Sequence, residues 1–562
     1  EMGIIETIFI LIYFLSFVNT SYLSNSSLSF AGHFETKTAT LNNFVRNFDP
    51  ANQFNMTPWW CPDGLNSFSL SAPMIETKLG NADLGCLKNA SFSLNGSFLV
   101  DLDPDQQFVS VLFGDNTITI GSDASSHPAL TARLADDYPL IAQWTESQRA
   151  RPTPQPIAHT TPRRAAQLVA SLENVKWSAS AVACSPALRR LHDEWQRTSR
   201  VLAVRLAMDN FDNNNQSATY GQGDVGVQLG TGESSTHVQP TRVAASLAPS
   251  LVGPQLSFEL DSTLLQLRVD VGVAVANVEP GGDSVVQQLR FGVARTPGAI
   301  EWFSAGLVNV TRAALHQTNS VAVVALSRAE LQALLNAPLV VGTANRSSIV
   351  AQENHSGRVL RAYPSVVRLR TSNATQPITV KTYEFGRPVA EQVVASIVRS
   401  PMRARHDRIN NSPFNGVHLP SSKFRTNATG VAVLPLSTHP IALHRLPLVR
   451  RPLRSQVYFH QLCPANQPAT EASCTTLSTK IWAEPPKLNG TITWNDVGPL
   501  FKQYAWLYPS MNAMVDMSNP KGLARSAQGV AALMAFDFYA KLFMPVTRDL
   551  DSISQQRMID FA

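Results

Sequence analysis

Leu265 to Val271 reads LQLRVDV, and its strict alternation leaves one regular structure open. Side chains along a strand point to opposite faces, so Leu265, Leu267, Val269 and Val271 fall on one face and the polar residues on the other. This is the pattern of a half-buried antiparallel strand. Similar runs occur through much of the chain, among them Leu28 to Phe34 (LSFAGHF), Phe98 to Leu102, Phe108 to Phe113, Ile118 to Ile120, Ile378 to Tyr383 and Gly430 to Leu436. Asp, Pro and Gly turns separate them.

Helical spacing is rarer. Ser185-Pro186 is a good helix opening, and Leu188, Leu191, Trp195, Leu202 and Leu206 predict an amphipathic helix up to about Asp209. Arg189, Arg190, Glu194, Arg197 and Arg200 lie mainly off that stripe, as a solvated face or a basic ligand-binding one. Ser327 and Glu330 form a capping box that opens a short helix through Leu335. Near the end, Phe501, Tyr504, Ala505 and Tyr508 predict a helix stopped by Pro509, followed by helices from about Gly522 to Tyr539 and from Ser552 to Phe561.

At 562 residues the chain has room for several domains. The expected fold is mainly β with α segments. It comprises a β-rich domain over 28–370, an antiparallel barrel or sandwich with a helical insertion near 162–209. A small β-sandwich over 375–485 and a helical segment over 490–562 complete it. Arg151 to Pro162, with alternate prolines, is read as an extended linker. No period of 20–50 residues repeats, so a solenoid is not expected.

The compartment is read from three features. Ile8 to Val18 is an unbroken apolar run, too short to span a bilayer comfortably, which predicts a signal peptide over 1–21; a buried core segment is the alternative. Acceptor triplets for N-glycosylation stand at Asn19, Asn25, Asn55, Asn89, Asn95, Asn215, Asn309, Asn345, Asn354, Asn373, Asn410, Asn427 and Asn489. Five cysteines form no C-x-x-C pair, which disfavours a zinc or redox motif. An oxidising compartment would join Cys61 to Cys86 and Cys463 to Cys474, leaving Cys184 over; buried free thiols are the alternative. Charged residues make up 15% of the chain, below the usual ~25%, which suits an extracellular surface.

Motifs of chemistry are sparse. The net charge of +5 lacks a dense basic tract, so no nucleic-acid partner is expected. Arg399, Arg403, Arg405, Arg408, Lys423, Arg425, Arg445, Arg450, Arg451 and Arg454 read as solvated loops, or else an anion-binding surface. Tyr220 to Val227 is Gly-rich but lacks a phosphate-loop Lys, so it is a strand entry or turn. Asp101, Asp103 and Asp105 alternate as in a calcium loop, but Gln106 and Leu112 occupy the positions of its Gly and Glu. The twelve histidines are scattered, and His439 and His444 are separated by Pro440. Neither a metal, a cofactor nor a catalytic residue is assigned. Trp59 and Trp60 could stack on a sugar.

Several segments resemble one bacterial enzyme family. They are Leu28 to Phe34, Thr40 to Asn43, Phe48 to Pro50, Leu188 to Leu191, Val204 to Met208 and Asp224 to Gly230. The most specific are Phe501 to Met511 (FKQYAWLYPSM) and Phe543 to Leu550 (FMPVTRDL). Together they are similar to the N-terminal, non-ferritin-like half of the violacein and chromopyrrolic acid synthase family (iminophenyl-pyruvate dimer synthase-like). In that family a ferritin-like helical domain follows and carries oxidative, metal-dependent chemistry. The helix-borne Glu and Glu-x-x-His ligands of such a bundle are absent from this sequence. The resemblance therefore implies a β-rich fold closed by a helical segment, and no site residue.

Three functional expectations follow. The first is a secreted, non-catalytic binding or scaffold glycoprotein, with carbohydrate or another protein as partner. The second is a subunit or fragment of an oxidative amino-acid-coupling enzyme, acting with a separate ferritin-like protein. The third is carbohydrate binding through Trp59 and Trp60.

Overall fold

The computed structural model describes residues 27–35, 68–77, 84–103, 106–121, 127–135, 141–143, 164–198, 201–211, 222–232, 241–246, 255–261, 265–271, 285–296, 299–311, 321–346, 348–369, 375–398, 417–438, 455–465, 474–482, 488, 490–507, 512, 515–537, 543–545, 548 and 550–562. The predicted signal peptide, the linker 151–162, Trp59, Trp60, Cys61, His439 and His444 lie outside them, as do most of the basic residues between 399 and 454.

Nine strands make the first unit: β1 (Leu28–Glu35), β2 (Phe68–Thr77), β3 (Ser91–Asp103), β4 (Gln106–Gly121), β5 (Leu130–Leu134), β6 (Ile141–Gln143), β7 (Arg164–Trp177), β8 (Val201–Phe211) and β9 (Gln222–Gly232). Their order is β3-β2-β1-β9-β8-β7-β5-β4-β6, and β3 also pairs with β4. That pairing closes eight strands into an antiparallel barrel, with β6 added beside β4. Closure removes the free edges of an open sheet. Phe30, Phe92, Leu94, Ile118, Leu130, Leu202, Leu206 and Val227 fill it.

Between β7 and β8 run helices α1 (Ala179–Cys184) and α2 (Pro186–Thr198). Here the sequence expectation needs correcting. The predicted helix over 186–209 stops at Thr198, and Leu202 and Leu206 lie in β8. The region from Arg164 to Trp177 is likewise strand, so the helical insertion is confined to about 179–198. The Gly-rich Tyr220 to Val227 segment leads into β9.

The second unit contains β10 (Val243–Ser246), β11 (Gln255–Asp261), β12 (Gln266–Asp270), β13 (Val285–Thr296), β14 (Ala299–Thr311), β15 (Val321–Ala325), helix α3 (Arg328–Leu334), β16 (Leu339–Thr343) and β17 (Ile349–Glu353). The sheet order is β14-β13-β16-β17-β10-β11-β12-β15. Its end strands β14 and β15 approach each other without pairing, so the sheet is nearly closed. Leu267, Val269 and Val271 face its core, as their alternation predicts. The capping box also forms: Ser327 Oγ accepts from Glu330 N, and the Glu330 carboxylate accepts from Ser327 N. Up to Glu353, the predicted β-rich stretch thus holds two sheets with separate cores.

A two-sheet sandwich follows: β18 (Arg358–Tyr363), β19 (Val366–Leu369), β20 (Thr375–Glu384), β21 (Arg387–Pro388), β22 (Gln392–Val398), β23 (Val417–His418), β24 (Lys423–Arg425), β25 (Val431–Thr438), β26 (Ser455–Pro464) and β27 (Thr475–Trp482). One sheet has the order β18-β20-β25-β23, with β21 beside β20; the other has β19-β27-β26-β22-β24. Leu360, Ile378, Val380, Leu462, Leu477 and Ile481 form the layer between them. Because β18 and β19 belong to these sheets, the sandwich begins at Arg358, ahead of the composition shift near Ala374.

The C-terminal unit is helical: α4 (Trp494–Leu507), α5 (Pro520–Ala524), α6 (Ala527–Ala535) and α7 (Ser552–Phe561). The single helix expected from Gly522 to Tyr539 is broken at Arg525-Ser526 into α5 and α6. Val497, Phe501, Tyr504, Leu523, Met534, Leu550 and Met558 make its core. No described helix is long and apolar enough to cross a membrane.

Candidate functional site

Among the described residues, buried charged groups gather where the second unit runs into the sandwich. Arg242 precedes β10 and is fully buried. Its Nε donates to Glu353 Oε1 at 3.0 Å, and Nη1 and Nη2 donate to the carbonyls of Leu334 (2.6 Å) and Ala337 (3.2 Å). Glu353, at the end of β17, is buried as well and accepts from Leu339 N at 3.1 Å. The guanidinium lies over two rings, with its carbon 4.8 Å from the Phe258 centroid and 5.3 Å from that of Phe385. A buried charge is tolerated only with such full pairing.

Phe385 belongs to the β20–β21 turn of the sandwich. It packs on Gly357, where an added Cβ would stand 2.3 Å from the ring. With φ at +64°, Gly357 also adopts a backbone that other residues rarely take. Next in sequence, Arg358 pairs with Glu391 and lies 3.6 Å from Glu384. Glu391 N donates to Thr426 Oγ1 at 2.8 Å, and Thr426 shares a 2.9 Å hydrogen bond with Thr382. Arg361, Tyr363 and Tyr383 are buried further along the same pair of strands. Burial lowers the Arg361 pKa, opposed by the nearby tyrosines, and burial raises that of Tyr363 well above 10.0.

This hub commits its charges to one another. Each carboxylate named has a guanidinium partner, and the two threonine hydroxyls bond each other and backbone carbonyls. Such groups fix the orientation of the elements that carry them. Among the described residues no group of three His, Cys, Asp or Glu could hold a metal ion. A second buried pair, Arg205 of β8 with Asp270 of β12, joins the outer faces of the two barrel-like units.

The predicted site residues are distributed otherwise. The Cys463–Cys474 bridge forms. The Cys61–Cys86 pairing does not, because Cys86 is bonded to Cys184. The cause is local: Gly85, with φ at +55°, lies so close to α1 that a Cβ would sit 2.1 Å from the Cys184 carbonyl oxygen. That approach brings the two Cα atoms to 5.7 Å, within disulfide reach. Of the acceptor asparagines, Asn89, Asn95, Asn309, Asn345 and Asn427 are exposed and Asn354 is half-buried. Asn19, Asn25, Asn55, Asn215, Asn373, Asn410 and Asn489 lie outside the described residues. Asp101 and Asp103 end β3, with Asp103 opposite Gln106; Asp105 is outside the described residues.

Lys423 and Arg425 are exposed on β24. Arg189, read as a face residue, donates its Nε to the Val182 carbonyl at 3.3 Å and so caps the end of α1. Sequence reasoning missed the arginine hub, whose members span 242 to 426 with no regular spacing. It also missed a cluster at the rim of the first barrel, where the Trp177 ring lies 5.3 Å from His192 and 5.7 Å from Trp195.

No family model matches the chain, and no curated protein does. Solved structures align over limited segments. A C. elegans MSP family member, WR4, is 10% identical and covers 22% of this chain and 98% of its own, with a TM-score of 0.14. The E. coli chaperone DraB is 15% identical over 25% of this chain and 60% of its own, with a TM-score of 0.15. The D0-D1 domain of intimin is 10% identical over 39% and 89%, with a TM-score of 0.17.

Proposed function

We propose that this chain is a secreted glycoprotein that works as a non-catalytic binding or scaffold protein. The observation that carries the reading is the hub around Arg242, whose charges are paired within their own units while the Phe385 ring of the sandwich packs on the Arg242 guanidinium of the second unit. Two disulfides and the exposure of five of the six described acceptor asparagines support an oxidising, extracellular setting. Expression in a eukaryotic secretory host tests it. The chain should reach the medium and lose mass on enzymatic removal of N-glycans. Retention inside the cell without modification would defeat the reading. Small-angle scattering of the secreted chain should fit one fixed arrangement of units, as a scaffold requires.

A second reading keeps the subunit of an oxidative amino-acid-coupling enzyme, acting with a separate ferritin-like protein. It is favoured by the packing of the two most specific motif segments: Phe501, Tyr504 and Ala505 share one core with Leu550, and Met544 packs against it. Co-expression with a ferritin-like protein encoded beside it should yield a stable complex. Two proteins that elute independently would count against this version.

A further inference from the structure

We propose that Asn427 carries an N-linked glycan and that this sugar covers the stretch of the β25 edge that no described strand pairs with. The inference rests on the secreted-glycoprotein reading and names one site and its purpose. Asn427-Ala-Thr429 forms the exposed turn before β25. The side-chain oxygen Oδ1 accepts from Thr429 N at 3.0 Å, Thr429 Oγ1 at 2.7 Å and Val431 N at 2.9 Å. Three donors on one atom identify it as the amide oxygen. Nδ2, the atom a glycan would occupy, is then the outward end of the amide. Among the described residues it has no hydrogen bond to lose. The turn is closed by Gly430 N to the Asn427 carbonyl and Asn427 N to the Val431 carbonyl, both 2.9 Å.

These bonds also define the edge. Successive residues of a strand direct their N–H and C=O groups alternately to the two sides. Gly430 O accepts from Thr382 N on β20, so Val431 faces the other way and is satisfied by Asn427. By the same alternation Val433, Pro435 and Ser437 face away from β20. On that side β23 pairs only at Val417–Thr438 and His418–Ser437. Among the described residues, Val433 therefore lies on a stretch of edge with no strand beside it, and it is 62% exposed. Pro435 has no N–H to offer a foreign strand, which blunts the edge further along. The opposite end of this stretch is bounded by Asn427, where a glycan would stand.

The test is peptide mapping of material secreted by a glycosylating host, followed by size-exclusion chromatography over a concentration series. Asn427 should be occupied. Asn427→Asp keeps the Oδ1 acceptor but takes no sugar, and Thr429→Ala removes the triplet without adding charge. Both should be secreted one glycan lighter and self-associate at lower concentration than the parent. Thr429→Ser, which retains the triplet, should behave as the parent. An unmodified Asn427 in a chain glycosylated elsewhere would overturn the site while sparing the underlying reading. A secreted chain with no glycan anywhere would defeat the glycoprotein reading itself. Unchanged self-association of both glycan-free variants would overturn the protective role.

Discussion

At Arg242 one guanidinium serves two units, which makes the cost of removing it lopsided. Arg242→Met would leave Glu353 buried without its cation, a loss of about 3–5 kcal/mol. The double change Arg242→Met with Glu353→Leu should recover much of that loss, since no charge is then stranded. Urea unfolding of both variants checks this, and equal losses would refute it. Tyr363 gives a pH-dependent counterpart. Burial raises its folded pKa well above 10.0, whereas the unfolded phenol ionises near that value. Its contribution is thus complete below about pH 10 and is lost as pH rises further. Tyr363→Phe should flatten the alkaline fall in stability; an unchanged slope would count against it. None of these residues was legible in the sequence, because their meeting depends on how β10, β17, β18 and β20 are arranged, not on spacing along the chain.

Strands and helices were legible to the extent that their periods differ. Leu267, Val269 and Val271 could be placed on a core face because period two left no other reading. Leu202 and Leu206 could not: a spacing of four fits a helix and also every second step of a strand. Val204 and Met208, buried beside them, are what decide for β8. In α3 the signal was local and so survived folding unchanged. Its Glu330 also reaches β14, accepting from Ser304 N at 2.7 Å and Oγ at 3.0 Å. Burial would raise the Glu330 pKa, but hydrogen bonds from Ser304 and Ser327 outweigh it and lower the value below 4.5. The sign follows: the contribution is present above the unfolded pKa and fades as pH falls through the folded one. Ser327→Ala should cost about 1 kcal/mol at neutral pH. The cost should shrink in acid, as denaturant titrations at about pH 7 and about pH 3 would reveal.

Across the whole molecule, specific covalent and side-chain ties hold the β units. The Cys86–Cys184 bridge spans 98 residues and fastens α1 to the turn before β3. Closing a loop of that length removes about 4–5 kcal/mol of unfolded-chain freedom in the chain-entropy view. Cys184→Ala should therefore lower the Tm far more than Cys474→Ala, whose bridge spans 11 residues. Among the described residues, two side-chain contacts that tie one unit to the next are Arg205 to Asp270, and Phe385 to Arg242. Phe385 is the more exposing test, because it reaches from the sandwich to a charge otherwise satisfied within the second unit. Phe385→Ala removes a desolvated cation–π contact of about 2 kcal/mol and leaves the Arg242–Glu353 pair intact. Each unit keeps its own core, so neither should unfold. What should change is their coupling. Calorimetry should resolve separate transitions for the second unit and the sandwich where the parent shows one. Scattering should then report a wider spread of dimensions. A variant that melts as the parent does would mean that the connection between Glu353 and Arg358, not the aromatic contact, sets the arrangement.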